Sequence, residues 1–423
     1  MKKVILPWHG IAALVLTGLS CGRFSDTGSF GTEETVGPAA TALPPQTITP
    51  APVADAYRSL YDSLGSDLAA MEAYVAGLPS DSVTRTLFGA ELLVASGNRG
   101  QALLAPQTMG VVELYLDRLQ EIGVDGVTVQ IADPLLAPGF PDSEAYLAFY
   151  QQVAEEVHRR GLLLVVETGP VFPDPQYSNV RYDWSTLSTL EYFDLRREQL
   201  NRIARLVGPD YLSIGNEPDT ERLLTGQNFG LEGYLAYIRE VIRDLKGLGG
   251  ARLGVGTGSW DDPNYMHAFI QESGLDFVDI HLYPLTNGSI DYVQRAAEWA
   301  AMAQGQGKQV VIGETWLYKV RPEELQQGIS YQEALQRDVF SFWQPLDARF
   351  LRAAAGMAHA QGIDYVSFFW SGYFFAYVEA DASWLNENAF DLYQELNRRQ
   401  YLSLQAGVLT EPGRAYQELL SDR

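Results

Sequence analysis

The sequence predicts a single closed (β/α)8 barrel with an N-terminal helical extension, and three observations lead there. Eight short apolar runs rich in β-branched residues recur along the chain, at 86–95, 126–132, 162–168, 211–217, 252–258, 277–283, 309–314 and 365–370. Seven longer stretches with apolar residues at helical spacing separate them, and one more follows near 386–398. The runs are apolar nearly throughout, as strands of a parallel sheet buried on both faces must be. The span 85–398 exceeds the roughly 250 residues typical of this fold but stays within its range. An open doubly wound sheet is the other arrangement of such units. It would carry a Gly-rich phosphate loop after its first strand, and no G-x-G-x-x-G stands there.

Met1-Lys2-Lys3 begins the chain, followed at 11–19 by the apolar run IAALVLTGL. That run is too short to cross a bilayer, which needs about 20 apolar residues; its length suits a signal-peptide core over 1–20. The small residues Gly18 and Ser20 favour cleavage just before Cys21, which resembles the lipidation site of a bacterial lipoprotein, although Leu19 sits one place nearer the cysteine than the usual pattern. An ordinary secreted protein with an incidental cysteine is the other reading. Residues 21–53 are rich in Thr, Pro, Gly and Ala and hold too few large apolar side chains to order themselves; they read as a tether. Residues 54–84 contain YRSLYDSLGSDLAAMEAYV, a helical pattern that precedes the barrel (85–423) and packs on it.

Within the barrel the helical stretches are 106–122, 142–160, 188–206, 230–247, 263–273, 289–304 and 331–361. Pro106 opens the first, and Gly161, Gly208 and Gly362 close others. The long connections at 169–187, 315–330 and 371–385 are expected to shape a cleft.

Thirty basic residues against 53 acidic ones leave a net charge of −23. Phosphate neutralisation needs clustered Lys and Arg, so a nucleic-acid partner is excluded, and docking on anionic lipid is disfavoured. Membrane contact is expected only through the lipid anchor. Cys21 is the sole cysteine, so there is no internal disulfide and no Cys-based zinc site. The five histidines, at 9, 158, 267, 281 and 359, form neither H-x-H nor H-E-x-x-H, and no metal or organic cofactor is expected.

Active sites of such barrels lie at the carboxyl ends of the strands. Those ends offer Glu91, then Gln130 and Asp133, Glu167, Asn216-Glu217-Pro218, Ser259-Trp260, His281 with Tyr283, Glu314-Thr315-Trp316, and Phe369-Trp370. A bowl of carboxylates, amides and aromatic rings suits a neutral polyhydroxylated ligand with apolar ring faces, and sugars have that character. Glu217 and Glu314 follow strands four and seven, whose ends the closed barrel brings across one cavity. Glycoside hydrolysis needs such a pair, one carboxyl protonated and one ionised. A separation of about 5–5.5 Å implies retention and about 6.5–9.5 Å inversion.

The segments LSIGNEP (212–218), DIHLYP (279–284) and VVIGETW (310–316), in that order, resemble the clan A retaining glycoside hydrolases over roughly 85–370. The resemblance implies Glu217 as acid/base and Glu314 as nucleophile. It implies that Asn216 binds the hydroxyl beside the anomeric carbon and that Tyr283 hydrogen-bonds the nucleophile. His281 would orient substrate or acid/base, and Trp370 would form the sugar platform. GVLTEPGRAYQELL (407–420) is similar to the closing turn and helix of that clan. Two positions depart from it. Many members carry Arg near the end of strand two, where this chain has VTVQIADP; many carry His at the end of strand three, where it has Glu167.

Trp260, Trp316 and Trp370 at strand ends are expected to stack on sugar, whereas Trp299 and Trp343 lie in helical patterns and are expected to pack. Trp184 and Trp384 lie in long loops and read either as distal sugar contacts or as packing residues. Glu167 is either a site residue or half of a structural ion pair. The sequence thus reads as a retaining glycosidase acting on an oligo- or polysaccharide. A sugar-binding barrel without catalysis is the alternative. A lyase or metal-dependent hydrolase would want more His or Lys at the strand ends than this chain has, Lys319 being the one nearby lysine.

Overall fold

The computed structural model describes residues 51–79, 85–173, 178–248, 250–284, 288–329 and 331–422. Eight parallel strands close on themselves in chain order. They are β1 (Leu87–Glu91), β2 (Gly126–Gln130), β3 (Leu163–Glu167), β4 (Tyr211–Ser213), β5 (Arg252–Gly258), β6 (Phe277–His281), β7 (Gln309–Thr315) and β8 (Tyr365–Phe368). The helices are α1 (Arg58–Ala76), α2 (Thr108–Ile122), α3 (Ser143–Arg159), α4 (Thr189–Arg202), α5 (Pro218–Thr225), α6 (Leu231–Leu245) and α7 (Pro263–Gln271), then α8 (Gly288–Gly305), α9 (Pro322–Gln326), α10 (Tyr331–Asp338), α11 (Gln344–Ala360), α12 (Ala389–Ala406) and α13 (Glu411–Ser421). No described helix is long and apolar enough to cross a membrane.

All eight expected strands form, most of them ending within two residues of the expected point, but two stop four residues early. The run at 86–95 leaves the sheet after Glu91 and makes a 3-10 turn at Leu93–Ala95. The run at 211–217 is strand only to Ser213. Gly215 passes so close to the Tyr234 hydroxyl that a Cβ would collide with it, and Glu217 then adopts a left-handed backbone (φ 50°), which no strand can continue. Helix 331–361 divides into α10 and α11, because Pro345 lacks an N–H and starts a helix instead of continuing one. The short helices α5 and α9 had no counterpart among the helical stretches, although each opens on a proline.

The barrel interior is layered. Val165, Tyr211, Phe277, Val311 and Tyr365 plug its lower part with an apolar cluster. Polar side chains above that plug therefore sit on a rigid floor. The register sets Gln130 beside Glu167, Glu167 beside Ser213, and His281 beside Glu314.

Helix α1 lies outside the ring and packs on α8 and α11. Leu60, Leu64, Leu68 and Met71 recur at helical spacing and are all buried there. Arg349 of α11 grips Glu72 through Nε and Nη2, both at 2.8 Å. Leu68 is fully buried, so Leu68→Ala should cost about 2–5 kcal/mol of unfolding free energy, measured by urea denaturation.

Candidate active site

The carboxyl ends of β1, β3, β4, β6 and β7 bring Glu91, Glu167, Glu217, His281 and Glu314 into one buried cup. His281 is its hub. Its Nδ1 lies 2.5 Å from Glu217 Oε1 and 3.5 Å from Glu314 Oε2, and its Nε2 lies 3.4 Å from Glu167 Oε2. Two contacts of 2.5 and 3.5 Å to one nitrogen place the Glu217 and Glu314 oxygens at most about 6 Å apart. Tyr283 donates its hydroxyl to Glu314 Oε2 at 2.9 Å. Asn216 Oδ1 accepts from the Ser213 hydroxyl at 2.7 Å, which fixes the amide beside Glu217. Gly313 is required below: a Cβ there would collide with the carboxylates of Glu167 and Asp279.

A cleft reaches this cup from the β2–β4 side. Glu167, Asn216, Glu217, His281 and Glu314 line its depth, with Phe172 and Leu224 as apolar walls. Gln130 also lines it, its Oε1 accepting from Asn98 Nδ2 at 3.0 Å. Asn98, Phe172, Thr220, Glu221 and Leu224 were not among the expected site residues. Only Asn98, in the turn SGNRG after strand one, carried a signal that could have found it.

Glu217 is held in its left-handed conformation from behind. A non-glycine residue there costs about 1–2 kcal/mol, so the surroundings must impose it. One turn into α5, buried Glu221 accepts from the hydroxyls of Tyr192 and Tyr234, both at 2.6 Å, and pairs with Arg196 of α4. Arg196 Nε also donates to Asp133 Oδ2 at 3.0 Å. Asp133, offered with Gln130 at the end of strand two, is thus turned into this fully buried cluster.

The expected aromatic residues divide. Tyr283 touches Glu314, but the three strand-end tryptophans stand beside the cleft, not in its lining. Trp260 is buried with its indole N–H on Thr220 at 3.3 Å, and Trp316 is buried against Tyr373. Trp260 and Trp316 are 2% and 1% exposed, so neither offers a free face for stacking. Trp370 is 5% exposed and packs edge-on against Phe369. Trp184 is buried against Tyr182 and Tyr192, which makes it a packing residue; Trp299 and Trp343 are buried as well. Cys21 and residues 1–50 lie outside the described residues.

The electrostatics of the cup are lopsided. Burial, then repulsion from Glu167 and Glu217, push the Glu314 carboxyl well above the usual range against the pull of His281 and Tyr283. Burial and the charges of Glu167 and Glu314 do the same to Glu91. Burial, with Glu167, lifts Asp279 to about 7. Burial alone would push the His281 imidazole down, but Glu314, Glu167 and Glu217 together carry it well above its ordinary value. Carboxyl groups this close cannot all ionise at neutral pH, so the cup stores acid and base side by side. Glu167, His281 and Glu314 each bring one metal-ligating atom within 4.8 Å of the others. The imidazole lies close to both carboxylates, with Nε2 3.4 Å from Glu167 Oε2 and Nδ1 3.5 Å from Glu314 Oε2.

Outside the cup, burial also lifts Asp133 to about 6 and Asp338 to about 7. A carboxyl raised above its unfolded value of 3.8 contributes stability fully below that pH, and loses it as pH rises through the folded value. His281, also raised, acts in the same direction. The midpoint of thermal unfolding should therefore be higher at pH 5 than at pH 8; a midpoint that rises over this interval would contradict the assignment.

No family model and no curated protein matches this chain. Solved structures do resemble it. A GH5_18 variant from Bifidobacterium longum, solved in complex with Manβ1-4GlcNAc, aligns at TM-score 0.52 with 14% identity, over 80% of this chain and 78% of that one. A GH5_18 protein from Streptomyces cattleya, in complex with GlcNAc, gives TM-score 0.52 and 14% identity over 80% of each chain. An exo-β-1,4-mannosidase from an Opitutaceae bacterium gives TM-score 0.52 and 14% identity, over 80% of this chain and 59% of that one. At these identities the likeness establishes the (β/α)8 fold.

Proposed function

We propose that this protein is a retaining glycoside hydrolase acting on the O-glycosidic bonds of an oligo- or polysaccharide. One observation carries the reading: Glu217 and Glu314, distant in sequence, meet at one imidazole nitrogen, with oxygens at most about 6 Å apart (2.5 plus 3.5 Å). That fits the close pair of a double displacement better than the wider gap that admits a water. Glu314 Oε attacks the anomeric carbon as the bond to the leaving oxygen breaks, and Glu217 gives that oxygen its proton. Glu217 then takes a proton from water, whose oxygen displaces Glu314 and frees the enzyme. Asn216, fixed by Ser213, is positioned to hold a sugar hydroxyl beside the reacting carbon. The fold shared with sugar-acting proteins agrees with this reading.

The test is a hydrolysis screen on polysaccharides and aryl glycosides, with the anomeric configuration of the first product followed by NMR. Retention is expected. Inversion would overturn double displacement, and glycan binding without turnover across the panel would mark a sugar-binding barrel.

We also propose that the protein is exported and anchored through lipid on Cys21, on the strength of the basic start, the short apolar run and the small residues before the cysteine. Cys21→Ser should release it from the membrane fraction; an unchanged fraction would refute anchoring.

A further inference from the structure

We infer that Glu167 is a positioning residue that holds His281 from behind, so that the imidazole shares a proton with Glu217 and keeps the acid supplied. The inference rests on the glycosidase reading for its kinetic consequence, but its structural part stands alone.

Among the described residues, the ion pairs of Glu167, Glu217 and Glu314 are all with His281, and no Arg or Lys reaches any of them. Among the described residues the imidazole is therefore the one basic side chain paired with these carboxylates. Its two nitrogens face opposite ways, Nδ1 to Glu217 and Nε2 to Glu167. Glu167 is in no position to retreat. It is the last residue of β3, fixed in register between Gln130 and Ser213, and its Oε1 lies against Gly313. A carboxylate fixed behind Nε2 favours the proton on that nitrogen. Nδ1 is then left to share a proton with Glu217 Oε1. When Glu217 releases its proton to the leaving oxygen, Nδ1 faces the new carboxylate; when Glu217 is reprotonated from water, the pair returns to its starting state. His281 gains and loses no net proton over the cycle.

Among the described residues the titratable groups facing the imidazole are acids: Glu91 from β1, Glu167 from β3, Glu217 after β4, Asp279 on its own strand and Glu314 from β7, with Tyr283 bound to Glu314 behind it. The raised proton affinity of His281 agrees with that surrounding. Removing one anion from this set lowers the proton affinity of all the others. Glu167→Gln should thus move both limbs of the kcat/KM–pH profile to lower pH, by about one unit. On the alkaline side that is about a tenfold loss relative to wild type. Glu167→Asp keeps the charge and should keep the limbs in place.

The experiment measures kcat/KM against pH for wild type, Glu167→Gln and Glu167→Asp, with 15N NMR titration of His281 in each. The expected results are an acid-shifted profile and a lower His281 titration point in the Gln variant only. A uniform loss at every pH, with unmoved limbs and an unmoved imidazole, would make Glu167 merely structural and overturn the proposal. If Glu167→Gln does not fold, the wild-type spectrum still decides, because a neutral ring at pH 7 protonated on Nδ1 would refute it. If wild type turns over no glycoside, the glycosidase reading fails, while the imidazole titration still judges Glu167.

Discussion

Glu314→Ala should lower kcat/KM by a factor on the order of 10^4 to 10^6, the scale of losing a covalent nucleophile. The fold should survive. Glu314 is 7% exposed and its carboxyl is raised by burial and by two acidic neighbours, so truncation removes a source of repulsion. The variant should melt at or above the wild-type temperature while losing turnover, and a scan of both quantities checks the pairing. Glu217→Gln should behave differently. It removes the acid, so a poor leaving group loses most of the rate, whereas an activated aryl leaving group needs little protonation and keeps more of its first step. Near-wild-type turnover in either variant, on an unactivated substrate, would refute the assignment of both carboxyls.

Arg196→Met should be the most damaging change away from the cup, at about 3–5 kcal/mol of unfolding free energy. The guanidinium is fully buried between Asp133 and Glu221, and without it two carboxylates remain in the interior with no counter-charge. Methionine fills the stem but supplies no donor. Denaturant melts measure the loss. A second readout is turnover per folded molecule, because Glu221 lies one turn beyond Glu217 on α5 and tethers the strained backbone there. A variant as stable and active as wild type would show that the cluster neither stabilises the fold nor holds Glu217.

Much of this organisation was legible in the sequence, for identifiable reasons. Parallel barrel strands are buried on both faces, so LLLVVET and QVVIGE announce themselves by composition. Their ends point at one cavity because the topology is closed, so Glu217, His281, Tyr283 and Glu314 could be named without coordinates. The failures have causes as specific. β4 reads as strand through Glu217, because the collision that Gly215 avoids comes from Tyr234 on α6, which no local pattern reveals. Asp133 stood beside Gln130 as a residue offered by the end of strand two, because its partner Arg196 lies on a distant helix. The tryptophans at the ends of β5 and β7 read as platforms because position favours stacking. Their burial beside other aromatic side chains is a tertiary fact. Glu167 stayed ambiguous between an ion pair and a site residue, and both descriptions apply: it pairs with His281 and lines the cleft.

Helix α1 makes the minimal folding unit larger than the eightfold repeat. Its leucine stripe closes over the two helices that flank the strand carrying Glu314. Trimming the protein to its repeating part would leave a greasy furrow along its flank, and such a shortened chain should clump in solution before its chemistry could be assayed.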